Sequence, residues 1–162
     1  MADHSDRAAD LPVDPDLPAP DGRRAGARSR RWDIALVIAA GGAIGGGARW
    51  ALNQAVPTDV GGFPWSTFAE NVTGCLLLGA VMVFLLDVWR PHRYVRPFIG
   101  IGVLGGFTTF SAYAVETDAL LRSGQGVLAL TYLFGTLIVG LIATWAGIAA
   151  ARTIAGVRPR GD

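Results

Sequence analysis

The sequence predicts an all-α integral membrane protein of four transmembrane helices, the third of them broken mid-membrane. Three observations lead there. Four near-unbroken apolar segments, 34–52, 68–89, 97–121 and 127–151, are each close to the roughly 20 residues that cross a bilayer core. Of the 162 residues 51% are hydrophobic and 17% charged, a balance that a soluble domain with a single core to fill does not call for. The third segment is interrupted by Gly102 to Tyr113, reading GVLGGFTTFSAY. Glycines and hydroxyls loosen the backbone ladder, and irregular backbone at membrane depth is tolerated only where protein or a watery cavity covers it. Carbonyls opened in such a break become ion ligands, so the stretch reads as a broken helix built around an ion.

Residues 1–31 are expected to form a separate, disordered and basic-ended tail, ahead of a four-span domain over 32–156 and a short C-terminal tail over 157–162. Residues 1–21 hold six Asp and four Pro with almost nothing to build a core. Arg23, Arg24, Arg28, Arg30 and Arg31 follow directly before the first span, as a topology anchor able to touch anionic lipid. A secretory signal is not expected, because the apolar run is too long and no convincing cleavage site follows it.

In the first span Gly41 and Gly45 lie four apart, as do Gly42 and Gly46. One face is thereby stripped to backbone for close approach of another helix. Arg49, on the same row near the end of the span, must either snorkel to the interface or face a polar cavity. In the second segment, which carries Glu70 and Asp87, Thr67, Asn71 and Cys75 recur every four residues as one polar stripe. Asn71 is read as a pore-lining donor, with an interhelical hydrogen bond as the alternative. Pro97 suits the first turn of the third helix, and Glu116 follows the break, three residues beyond Tyr113. On the fourth segment Tyr132, Thr136 and Gly140 share a face suited to packing or lining.

All 14 basic residues are Arg, and four spans sort them unequally. Arg7, the five before the first span, Arg90, Arg93, Arg96, Arg152, Arg158 and Arg160 fall on one side, against Arg122 alone on the other, with Arg49 in the membrane. Twelve to one is a strong positive-inside signal, so both termini are expected in the cytoplasm of a multi-pass cell-membrane protein. Cys75 is the single cysteine, which excludes an intrachain disulfide or a thiol pair. His4 and His92 read as solvent-exposed. No catalytic constellation is present, so an enzyme is not expected. The basic patch lacks interleaved aromatics, which argues against nucleic acid. The hydroxyls, amide and ring edges inside the membrane suit a small, strongly hydrated anion, whose water shell close donors must replace.

Three motifs carry a resemblance over roughly 34–151: Gly45-Gly46-Gly47-Ala48-Arg49-Trp50, then Pro64-Trp65-Ser66-Thr67 leading to Asn71-Val72-Thr73-Gly74, and Gly105-Gly106-Phe107-Thr108-Thr109-Phe110-Ser111. The combination resembles the Fluc/CrcB family of fluoride channels. The resemblance implies an antiparallel dimer with two fluoride pores and a central structural Na+ that is not transported. It implies that the carbonyls of Gly105 and Thr108 hold the sodium, with the same pair from a second subunit. Phe110 would present its ring edge and Asn71 its amide to fluoride, Ser111 and Thr136 would line or support the pore, and Glu116 would lie further along the path. The family's second pore Phe is Tyr113 here, its Thr between the two aromatics is Ala112, and its Ser in the fourth span is Thr136. The function implied is passive, selective export of fluoride trapped in the cytoplasm after hydrogen fluoride dissociates there.

An antiparallel homodimer needs one sequence to insert both ways, and the arginine count opposes that. The partner is therefore a second copy or an oppositely oriented homologue. Two rival functions remain. A non-conducting or half-site subunit is one. The other is a proton-coupled cation exporter resembling the dual-topology four-span multidrug transporters, which needs a carboxylate in the first span, where this chain has only Arg49.

Overall fold

The computed structural model describes residues 21–56, 61–88 and 93–156. Of the tail expected to be disordered over 1–31, residues 1–20 lie outside them, as do the loop residues Arg90 and His92 and the tail from 157 onward. The chain divides into two compact units, Met1–Asp33 and Ile34–Asp162. The described part of the first is the opening of helix α1 (Asp21–Ala55), helical from well before the expected start of the span. The second unit holds the rest of α1 and all the other described helices.

Helix α2 runs over Trp65–Val83 and ends in a wider, π-wound turn, Phe84–Val88. Helix α3, residues 96–107, is π-wound over Arg96–Leu104 and closes with one α turn, Gly105–Phe107. Helices α4 (Phe110–Arg122) and α5 (Gly126–Ala155) complete the fold. Among the described residues four stretches are long and apolar enough to cross a membrane: Arg31–Ala55, Trp65–Val88, Arg96–Arg122 and Gly126–Ala155. The architecture is all-helical, as the sequence predicts. Between α2 and α3, Arg96 Nη2 donates to the Leu85 carbonyl at 3.1 Å, so the start of one helix caps the loosened end of the other.

Two seams of small residues hold the helices together. A Cβ on Gly41 would lie 2.5 Å from the Phe98 carbonyl oxygen, one on Gly102 would lie 2.9 Å from Gly41 Cα, and one on Gly106 would lie 2.7 Å from the Gly42 carbonyl oxygen. One on Gly45 would collide with the Val103 carbonyl. The glycine row of α1 thus meets α3 backbone to backbone. Between α2 and α5, Gly79 lies against the Thr144 carbonyl and Gly147 against the Leu76 carbonyl, and neither leaves room for a side chain. Where apolar burial gives no drive between helices, as in lipid, close backbone packing of this kind supplies the association. At one end of the bundle, fully buried Tyr132 packs with Leu120 and Ala129, and Phe63, Phe68 and Tyr113 close around them. Outside these seams large apolar side chains face outward, among them Leu137, Ile138, Leu141, Ile142 and Trp145 of α5.

Candidate functional site

The site starts from two threonines. Thr108 (φ −81°, ψ 157°) and Thr109 (φ −145°, ψ 119°) are extended, so the third apolar stretch is not a continuous helix. The last regular bond runs from Thr108 N–H to the Leu104 carbonyl at 3.0 Å. In an unbroken helix Thr109 N–H would next reach the Gly105 carbonyl. Instead it donates to Asn71 Oδ1 at 3.0 Å, while Asn71 Nδ2 donates to the Thr109 carbonyl at 3.1 Å. One side-chain amide from α2 therefore satisfies both backbone groups of the displaced residue. Thr109 Oγ1 then restarts the helix, accepting from Ala112 N–H at 3.2 Å as the N-cap of α4. Ala112 N–H would have served the Thr108 carbonyl in a continuous helix. The carbonyls of Gly105 and Thr108 thus both lose the N–H partner that regular winding supplies.

An open groove of about 510 Å³ runs past this break, lined by Asn71, Gly105, Thr108, Phe110, Tyr113 and Thr136 with Thr109, Thr144, Cys75 and apolar neighbours. Six of the nine site residues nominated from sequence are brought together there. Phe110 is 81% exposed and its ring lies 5.9 Å from that of Tyr113. Tyr113 spends its hydroxyl on the Leu133 carbonyl at 2.7 Å, which leaves the ring to face the groove. Thr136 Oγ1 is buried without a hydrogen-bond partner. Ser111 is exposed and outside the groove lining, with its hydroxyl 3.3 Å from Thr109 Oγ1.

The other two nominated residues, Arg49 and Glu116, line a second cavity of about 360 Å³ with Trp50, Asn53, Thr67, Glu70, Thr109 and Ala112. Thr109 belongs to both spaces, so the break forms the wall between them. Glu116 accepts from Thr67 Oγ1 at 2.8 Å and from Tyr132 Oη at 2.7 Å. The polar stripe of α2 is accounted for turn by turn: Thr67 holds Glu116, Asn71 holds Thr109, and Cys75 faces Gly140.

The family model described as "CrcB-like protein, Camphor Resistance (CrcB)" matches residues 36–148. The chain belongs to the CrcB family. The match covers the glycine row of α1, the Asn71 clamp, the break and most of α5. Relatives in this family include the fluoride-specific ion channel FluC 3 of Streptomyces avermitilis, 47% identical over 82% of this chain and 66% of its own length. FluC 1 of Streptomyces coelicolor is 46% identical over 83% of this chain and 91% of its own. FluC 2 of Streptomyces avermitilis is 52% identical over 71% and 73%. These CrcB relatives carry the names of ion channels, not of enzymes.

Three members of the site escape sequence reasoning. Tyr132 reads there only as part of a packing or lining face, and Thr67 only as part of a stripe without a partner. Glu70 stands merely as a charge within its segment. A signal is present for Glu70, since a carboxylate inside a membrane span is costly enough to mark a functional position.

Proposed function

We propose that the chain is a fluoride-selective passive channel of the cell membrane that lets cytoplasmic fluoride leave down its gradient. The observation that carries this reading is the convergence of Asn71, Phe110, Tyr113 and Thr136 on one groove at the break, in a chain whose relatives are named for fluoride. A small anion gives up its water shell only where close donors replace it. The second N–H of the Asn71 amide, the orphaned Thr136 hydroxyl and the positive edges of the two rings are donors of that sort. None carries a formal charge, so an ion held by them is also free to leave.

On this reading the groove, open on one side in a single chain, is closed by a second, oppositely oriented subunit, and the break lies at mid-membrane. A Na+ would be held there by the carbonyls of Gly105 and Thr108, whose helix partners are diverted to Asn71 and Thr109. Among the described residues no group of three or more His, Cys, Asp or Glu gathers for a metal ion, so backbone oxygens are the fitting ligands. Bound there, the ion would supply a fixed positive charge and tie two subunits together, while Asn71 keeps the carbonyls released. Both termini would be cytoplasmic. The partner is a second copy or an opposed homologue, and the arginine distribution favours the homologue.

Liposomes loaded with potassium fluoride or potassium chloride and containing the purified chain test this. Rapid fluoride efflux with chloride retained is expected, from the chain alone if it pairs with itself, or only with its homologue if it is half of a pair. Equal release of both halides, or none under either condition, would end the proposal.

A further inference from the structure

The second cavity holds a group that conduction through the groove does not use. Glu70 is fully buried, with 0% of its surface exposed, and neither carboxylate oxygen makes a well-formed hydrogen bond, the Asn53 amide on the same cavity being the donor beside it. It faces the same space as Arg49 of α1 and Glu116 of α4 and lies within electrostatic reach of both. Glu116 is differently placed, because each of its oxygens accepts a hydroxyl, from Thr67 and from Tyr132. A carboxylate taken out of water without donors is unstable by several kcal/mol, and the usual remedy is to take up a proton. Glu116 on the same cavity adds repulsion to the same end, Arg49 and the Asn53 amide act against it, and the loss of water around a fully buried group is the larger effect.

We propose that Glu70 is a proton-binding site in the cavity behind the helix break, and that its charge sets how readily fluoride enters. This rests on the fluoride-channel reading above. With Glu70 protonated, Arg49 and Glu116 cancel and the cavity is formally neutral. With Glu70 ionised, the cavity carries one net negative charge in a space that water screens poorly, and it repels an approaching anion. The proton comes from and returns to solvent. The charged and titratable groups facing Glu70 are Arg49 and Glu116, with Tyr132 of α5 behind Glu116. The effect is conduction that weakens as the medium becomes more alkaline.

Two measurements on the full chain test the inference, with its homologue added if the pair is what conducts. The first is infrared spectroscopy of the reconstituted protein over the pH range in which it stays folded. A protonated carboxylic-acid band that fades across this range, and is absent from Glu70→Gln but present in Glu116→Gln, is expected. A Glu70 carboxylate ionised throughout would overturn the site. The second is fluoride efflux over the same range, corrected for leakage from protein-free liposomes. The unsubstituted chain is expected to slow severalfold toward alkaline pH, and Glu70→Gln to keep the acid-side rate throughout. Identical pH profiles for the two would overturn the role in entry. A titrating band with no fluoride efflux at any pH would support the proton site and refute the fluoride reading alone.

Discussion

The groove and the cavity behind it share Thr109 as a wall yet treat charge in opposite ways. The groove offers rings, one amide and hydroxyls, and its polar backbone groups are those the break sets free. The cavity gathers Arg49, Glu70 and Glu116 within about 360 Å³. Neutral donors bind an anion weakly enough to release it, whereas full charges in a space of low polarity hold or exclude ions strongly. On the channel reading proposed above, selectivity and control would reside in different places. The groove would choose the ion by geometry, and the cavity would set the field that the ion crosses.

Asn71 holds Thr109, the wall between the two spaces, in place, so its removal should erase the contrast most completely. Asn71→Ala leaves the Thr109 N–H without its partner, at a cost of about 1–3 kcal/mol, and takes from the Thr109 carbonyl the donor it has besides the first turn of α4. The expected outcome is a clear fall in thermal stability in detergent and fluoride efflux lowered by more than about tenfold. Asn71→Asp keeps the acceptor for Thr109 N–H and loses only the donor, so it should recover part of the stability and little of the efflux. Full efflux from Asn71→Ala would show that the clamp is not needed to hold the break open.

How far the sequence reveals this arrangement depends on the range of each signal. The four apolar stretches are legible because a bilayer demands a continuous run of suitable length, and hydropathy reads that without any tertiary information. The glycine row of α1 is legible as a seam, since residues four apart share a helical face. That α3 is its partner is not, because α3 is π-wound over Arg96–Leu104 and its register cannot be counted at 3.6 residues per turn. The break is legible from its glycines and threonines. The tie from Thr109 to Asn71, 38 residues earlier, depends on how two helices are rotated against each other. The isolation of Glu70 depends on three helices at once, which no local pattern encodes.

A smaller effect probes the contrast from the cavity side. Thr67→Val keeps the shape of a buried residue and removes one of the two donors to Glu116. Hydrogen bonds to a charged group contribute about 1.5–3 kcal/mol, so stability should fall within that range and efflux severalfold. Tyr132→Phe removes the other donor. Because both act on one carboxyl group, the double substitution should depart from additivity in a double-mutant cycle. Additive losses would show that Glu116 is not the hub of the network.

The least effect is expected in the groove at Tyr113, one of the three positions where the resemblance implies a different residue. The hydroxyl of Tyr113 is bonded to the Leu133 carbonyl, so it holds the ring in place and does not face the ion. Tyr113→Phe should therefore cost about 1 kcal/mol of stability, the value of one ordinary hydrogen bond. Fluoride efflux should change by no more than about twofold, because the ring edge that meets the ion is kept. A large rise or fall in efflux would mean that the hydroxyl itself reaches the conducting path. The groove would then present a further polar group to the ion, and its contrast with the charged cavity would be one of degree. A small change accompanied by the expected loss of stability would confine the contribution of Tyr113 to its ring, with the α4–α5 contact as the only use of its oxygen.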